Sequence, residues 1–237
     1  MKIHNPFRHL TKFEWSLWGV SLAVVTVSFF VGGSGGLLSL CASLLGVTAL
    51  IFVAKGDVTG QFLSVLFAVL YAIVSWEQRY YGEMITYLCM SAPAAVFSIV
   101  SWLRHPYGKD HSEVRIARMT VGKTFLLFGA TALVTLVFYW ILKWLGNAEL
   151  IVSTLSVTTS FLAASLLFLR SPYYALAYTA NDVVLIVLWV VASFQDLSYL
   201  SMVACFLMFL FNDLYGFFNW LRMRKKQNKE EQVCTAP

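Results

Sequence analysis

Charge is scarce in this chain. Only 12% of its 237 residues are Asp, Glu, Lys or Arg, about half the share of a soluble globular domain. Residues 15–54 contain none. Cysteine is sparse as well. Cys41, Cys89, Cys205 and Cys234 show no paired spacing, which argues against a disulfide framework or a structural zinc site. The four histidines, His4, His9, His105 and His111, all fall outside the long apolar runs. No Ser/His/Asp set, glycine-rich phosphate loop or H-E-x-x-H accompanies them, so the chain does not read as an enzyme and no metal or cofactor is expected. The formal charge of +5 is spread over short loops and a tail, without the basic, aromatic-studded face that binds nucleic acid. The first residues, with Lys2, Arg8 and Lys12, precede an apolar run that lacks an A-x-A-like site, so no cleavable leader is expected.

What is abundant is apolar: 59% of residues, 16% of them all aromatic, with a mean hydropathy of +0.72. Runs of about 20 apolar residues match the thickness of a bilayer core. Eight spans are expected, at 15–31, 37–54, 58–76, 82–103, 121–143, 149–169, 172–193 and 198–221. Gly32 to Gly36 separates the first two, because a glycine-rich run holds a helix poorly. Lys55-Gly56-Asp57 closes the second, and Pro172 suits the first turn of the seventh. With both termini on one side, that side carries fifteen of the seventeen Lys and Arg residues, leaving Arg79 and Lys143 opposite. The positive-inside rule then puts both termini in the cytoplasm. The basic tail reads first as a topology signal, with contact to anionic lipid as the alternative.

An internal repeat is visible. Lys55 and Arg170 end matching spans, and Ser101-Trp102-Leu103-Arg104 matches Asn219-Trp220-Leu221-Arg222, with spacings of 115 and 118 residues. The expected architecture is all-α and polytopic: an N-terminal segment and extra helix over 1–36, a three-helix repeat over 37–103, a loop and linker helix over 104–148, a second three-helix repeat over 149–221, and a basic tail over 222–237. An odd linker helix after an odd repeat makes the repeats parallel, an arrangement of carriers whose site lies at the repeat interface.

Polar side chains inside spans point to function by default. Asn181 and Tyr178 share a stripe with Trp189 in the seventh span, and Asn212, Tyr215 and Asn219 share a face of the eighth. Gln61 and Tyr87 are the candidates of the first repeat, while Glu83 sits at a helix start where the dipole favours a carboxylate. Asn181 and Asn212 are expected to face one cavity, with Trp189 as a stacking platform and Tyr178 as its competitor. The same residue types also hold membrane bundles together. Asp182 and Asp213 read better that way, with proton coupling as a further alternative. Amides, hydroxyls and an aromatic plane suit a heterocycle bearing sugar-like hydroxyls. A non-transporting scaffold remains open from the residues alone.

Tyr80-Tyr81-Gly82-Glu83, the segment Asn181 to Trp189 and the ending Asn212 to Trp220 resemble the PnuC family of vitamin-precursor transporters over essentially the whole chain. The resemblance implies a 3+1+3 fold like a full-length SWEET carrier, in a bacterial inner membrane, assembled as a trimer. It implies uptake of nicotinamide riboside by facilitated diffusion, with a cytoplasmic kinase trapping the substrate. Riboside carriers of the family tend to have Trp where this chain has Ala177, and Asn where it has Phe67. Thiamine and (deoxy)nucleosides therefore stay open as substrates.

Overall fold

A computed structural model describes residues 6–31, 37–77, 80–108, 113–147, 149–194 and 197–235. The glycine turn at 32–36, the histidines His4 and His111, and Lys2, Arg79 and Lys109 of the charge count lie outside the described residues. Nine α-helices are described: α1 (Lys12–Val31), α2 (Leu37–Ala54), α3 (Val58–Glu77), α4 (Tyr81–Thr86), α5 (Ala92–Arg104), α6 (Val121–Trp144), α7 (Leu150–Phe168), α8 (Tyr174–Ser193) and α9 (Leu200–Thr235). Helices α4 and α5 form one span, Tyr81–Arg104, so eight segments are long and apolar enough to cross a membrane. A π-helical turn, Tyr87–Ser91, joins them. Pro93 is the second residue of α5; its ring nitrogen cannot donate to the preceding turn, which loosens the ladder there.

Two three-helix units carry the bundle. In one, α3 packs on α2 and α5; in the other, α8 packs on α7 and α9. The units join reciprocally, α2 against α9 and α5 against α7. Helix α6 packs on α7, where the Thr135 and Thr158 hydroxyls lie 2.8 Å apart. Its outer face leaves Phe125, Leu126 and Trp144 exposed, as suits a surface solvated by lipid.

The helix ends show the repeat register. Gly56 adopts φ +70° after α2, and Arg170 adopts φ +56° after α7. The Asp57 amide bonds back to Phe52 O (3.0 Å) and the Ser171 amide to Leu166 O (2.9 Å), the closing bond of a Schellman cap in both units. Asp57 Oδ1 then accepts from Thr59 N (2.8 Å), and Ser171 Oγ from Tyr173 N (3.4 Å). The mate of Gly56 is thus Arg170, 114 residues on. Pairing Lys55 with Arg170, as their charges suggest, is off by one; charge at a membrane face tolerates a residue of slip, whereas a helix cap does not. For the last helices Trp102 matches Trp220, 118 residues on. Each indole crosses to the other unit: Trp220 Nε1 donates to Val53 O (3.0 Å), and Trp102 Nε1 to Leu167 O (3.4 Å). Val53 and Leu167 are themselves mates, and the two indoles lie 5.6 Å apart between them.

A strap ties the units at this basic end. Strands β1 (Pro106–Tyr107) and β2 (Glu113–Val114) pair antiparallel, and the chain beyond bonds both caps: Val114 N to Gly56 O (3.0 Å) and Ala117 N to Arg170 O (3.1 Å). The last helix continues past residue 221. Helix α9 runs on to Thr235 because the tail finds polar partners in the strap. Gln227 accepts from Ile116 N (2.9 Å) and donates to Val114 O (3.1 Å), and Arg115 pairs with Glu231. Helix α1 also starts earlier than hydropathy suggests. Thr11 and Glu14 form a capping box, with Glu14 Oε2 accepting from Thr11 N at 2.6 Å. The same buried carboxylate reaches Lys55 Nζ (3.3 Å) and accepts from Tyr215 Oη (2.5 Å).

Candidate functional site

Between the two units lies a partly open cavity. Buried apolar clusters close it above and below. Toward the basic end stand Val53, Leu167, Tyr174 and the Trp102–Trp220 pair; toward the other end stand Tyr71, Tyr87, Leu185, Trp189 and Phe206. Its walls are repeat mates facing each other. Gly46 matches Ser160, Leu50 matches Ala164, and Val53 matches Leu167 on α2 and α7. Ser64 matches Tyr178, Phe67 matches Asn181, and Ala68 matches Asp182 on α3 and α8. Ser91 matches Phe209 and Ala95 matches Asp213 on the last helices.

The mates line one space but differ in chemistry. The second unit supplies the Tyr178 hydroxyl, the Asn181 amide and the Asp182 and Asp213 carboxyls; the first supplies small or apolar groups at those places. Asn181 is 2% exposed, and its Oδ1 accepts from Thr159 Oγ1 (2.8 Å) and Ser160 Oγ (2.9 Å). Two hydroxyls holding the oxygen fix the amide's rotation and leave its Nδ2 as the free donor. The first unit contributes Gln61, fully buried on the cavity wall, both of whose amide atoms lack a partner within the protein. Buried amides are almost always hydrogen-bonded, so this one leaves a polar demand on the wall that the protein itself does not meet. The first unit's other lining residues include Tyr87 and Ser91, both on the π-helical turn; such turns recur at functional sites. Gly46 lets the apolar wall close up: a Cβ there would stand 2.4 Å from Phe209 Cζ and 3.0 Å from Phe67 Cε2.

Of the residues singled out from the sequence, Asn181, Tyr178, Gln61 and Tyr87 meet in this cavity. Asn212 does not share it with Asn181. Its Nδ2 donates to Ser21 Oγ on α1 (3.1 Å) and to Met208 O (2.7 Å). Tyr215 donates to Glu14, and Asn219 donates to Ala54 O (2.8 Å). That polar face of α9 is turned toward α1 and α2, where its donors find partners, while Asn212 Oδ1 is left buried without one. Trp189 is fully buried above the cavity, donating to Tyr71 Oη (3.1 Å), with its ring 5.1 Å from Tyr80 and 5.7 Å from Tyr199. Glu83 stays in the first turn of α4, buried, with no side-chain cap bond at that end. Sequence reading passed over Asp182 and Asp213 as bundle contacts, and gave Phe209, Ser160 and Ser98 no role; all five line the cavity. The signal that could have found them is the repeat itself, since each lining residue of α7 and α8 predicts its mate.

Parallel three-helix repeats around a cavity with a few polar groups, in a chain whose described residues hold eight segments able to span a bilayer, mark a multi-pass membrane carrier. The chain belongs to the family described as "Nicotinamide mononucleotide transporter", whose sequence model matches residues 36–222. It is 27% identical over 222 residues to the "Nicotinamide riboside transporter PnuC" of Neisseria mucosa, covering 92% of this chain and 84% of that protein. It is 25% identical over 213 residues to the protein of the same name from Haemophilus influenzae, covering 90% and 91%. The solved structure titled "Crystal structure of the Vitamin B3 transporter PnuC" matches with a TM-score of 0.81 at 28% identity, over 92% of this chain and 94% of that one.

Proposed function

We propose that the chain takes up nicotinamide riboside by facilitated diffusion through this cavity, with a cytoplasmic kinase trapping the product. The relatives' names support the substrate. The observation that carries it is the polar wall: Asn181, oriented by two hydroxyls, opposite an unpartnered Gln61. Amides at those two places suit a carboxamide and ribose hydroxyls, and Tyr178 offers a ring face beside them. The family's description names the mononucleotide, but the chemistry favours the riboside. Among the described residues lining the cavity there is no Lys, Arg or His, while two carboxyls are present, so a phosphate would lack any counter-charge and meet repulsion.

The positive-inside bias supports cytoplasmic termini, the bacterial relatives support placement in an inner membrane, and the family resemblance supports a trimer. Thiamine is the second reading, favoured by Phe67, an apolar ring standing at the mate position of Asn181.

Proteoliposomes holding the purified protein and no kinase test the reading. Labelled nicotinamide riboside is expected to fill them to the external concentration and stop. Accumulation beyond it under a proton or sodium gradient would overturn facilitated diffusion. An absence of riboside uptake alongside thiamine uptake would overturn the substrate.

A further inference from the structure

The cavity's charge sits in one place. Asp182 on α8 and Asp213 on α9 both line it, are 2% and 3% exposed, and stand on two helices packed against each other. Two carboxyls in one desolvated site resist ionising together, and a cation lying beside them favours the form that carries one negative charge. Asp182 Oδ2 finds no partner within the protein, and neither do the Gln61 amide or the Ser98 hydroxyl on the first unit's wall. Those unpartnered atoms call for a polar ligand; the carboxyl pair adds a sign. The pair's repeat mates are Ala68 and Ala95, so the charge lies on one wall only and orients whatever it attracts. Tyr178, one helical turn before Asp182, places a ring on the same wall, where a delocalised cation gains from both a carboxylate and a π face.

We propose that the Asp182–Asp213 pair is the charge-reading element of the site, selecting a ligand whose heteroaromatic ring is positively charged over a neutral ring of the same outline. In a cavity of low dielectric, a cation next to the pair replaces the water that its charge would otherwise require, whereas a neutral ring leaves the charge uncompensated. The inference rests on the carrier reading above and names what that site discriminates.

Nicotinamide riboside and its dihydro form differ by one hydride, and hence by the ring charge, with little change in outline, so they isolate the effect. Calorimetric titration of the purified full-length protein in nanodiscs is expected to show the cation binding at least about tenfold tighter than the dihydro form. The double variant Asp182→Asn, Asp213→Asn keeps the shape of the pair and removes its charge. It is expected to bind both forms within about twofold of each other, and its retained affinity for the dihydro form shows that the site is folded. A parent protein that binds the two forms equally, or a double variant that keeps the preference, overturns the proposal. Thiamine and thymidine complete the panel. Binding of thiamine without nicotinamide riboside removes the riboside reading and leaves the charge reading standing, while thymidine binding tighter than either cation removes both.

Discussion

The two repeats share a backbone and differ in what they put into the cavity. The second unit presents Tyr178, Asn181, Asp182 and Asp213, where the first presents Ser64, Phe67, Ala68 and Ala95. At the helix ends the reverse holds. There the units keep matched caps and matched tryptophans, each indole donating to the other unit's carbonyl. Mechanical parts are therefore duplicated, while both cavity carboxyls and one of its two amides come from the second unit, the other amide being Gln61 of the first. A symmetric cavity would bind an asymmetric molecule in two orientations; an asymmetric one favours a single orientation.

The largest break in that comparison comes from exchanging Asn181 and its mate. Asn181→Leu removes the amide donor and leaves the Thr159 and Ser160 hydroxyls without their acceptor. Riboside affinity should fall by about a hundredfold, at roughly 1–3 kcal/mol for each buried partner left unpaired. Phe67→Leu, which keeps an apolar wall, should change it by less than about fivefold. Equal losses in equilibrium binding would mean that recognition is shared evenly by the units.

A smaller effect should separate the two tryptophans. Trp220→Phe deletes a 3.0 Å hydrogen bond and Trp102→Phe one of 3.4 Å, each between buried groups. The first should cost about 1 kcal/mol of stability and the second distinctly less, read from thermal unfolding of the detergent-solubilised protein. The same order should hold if the pair closes the basic end of the cavity, with Trp220→Phe releasing bound ligand faster.

The smallest change concerns the caps. Arg170 holds the left-handed conformation that Gly56 occupies in the first unit. A side chain there costs on the order of 1 kcal/mol. Arg170→Gly should recover part of that, offset by losing the Arg170 Nη1 bond to Arg115 O at 3.3 Å. A net rise of a degree or two in the unfolding midpoint is expected, on the scale of a few tenths of a kcal/mol. A fall would mean that the arginine's contacts outweigh its backbone strain.

Hydropathy alone marked the eight stretches long and apolar enough to cross a membrane, because that depends on composition over a window and not on rotation about a helix axis. The repeat was legible for the same reason, through Trp102 and Trp220. The cavity was half legible. Gln61, Tyr87, Tyr178 and Asn181 are polar residues in lipid-depth segments, and they converge there. Which face of α9 joins them was not legible. Asn212 and Asp213 are neighbours in sequence, yet successive residues point about 100° apart around a helix; the bundle turns Asp213 to the cavity and Asn212 to α1. Trp189, likewise, is drawn into an aromatic cluster by Tyr71 and Tyr80, residues more than a hundred positions away. The continuation of α9 to Thr235 depends on Gln227 meeting the strap from the middle of the chain. A polar side chain in a membrane helix must find a partner somewhere, and sequence states that demand; only the packing of all the helices decides whether the partner is a neighbouring helix or a bound molecule.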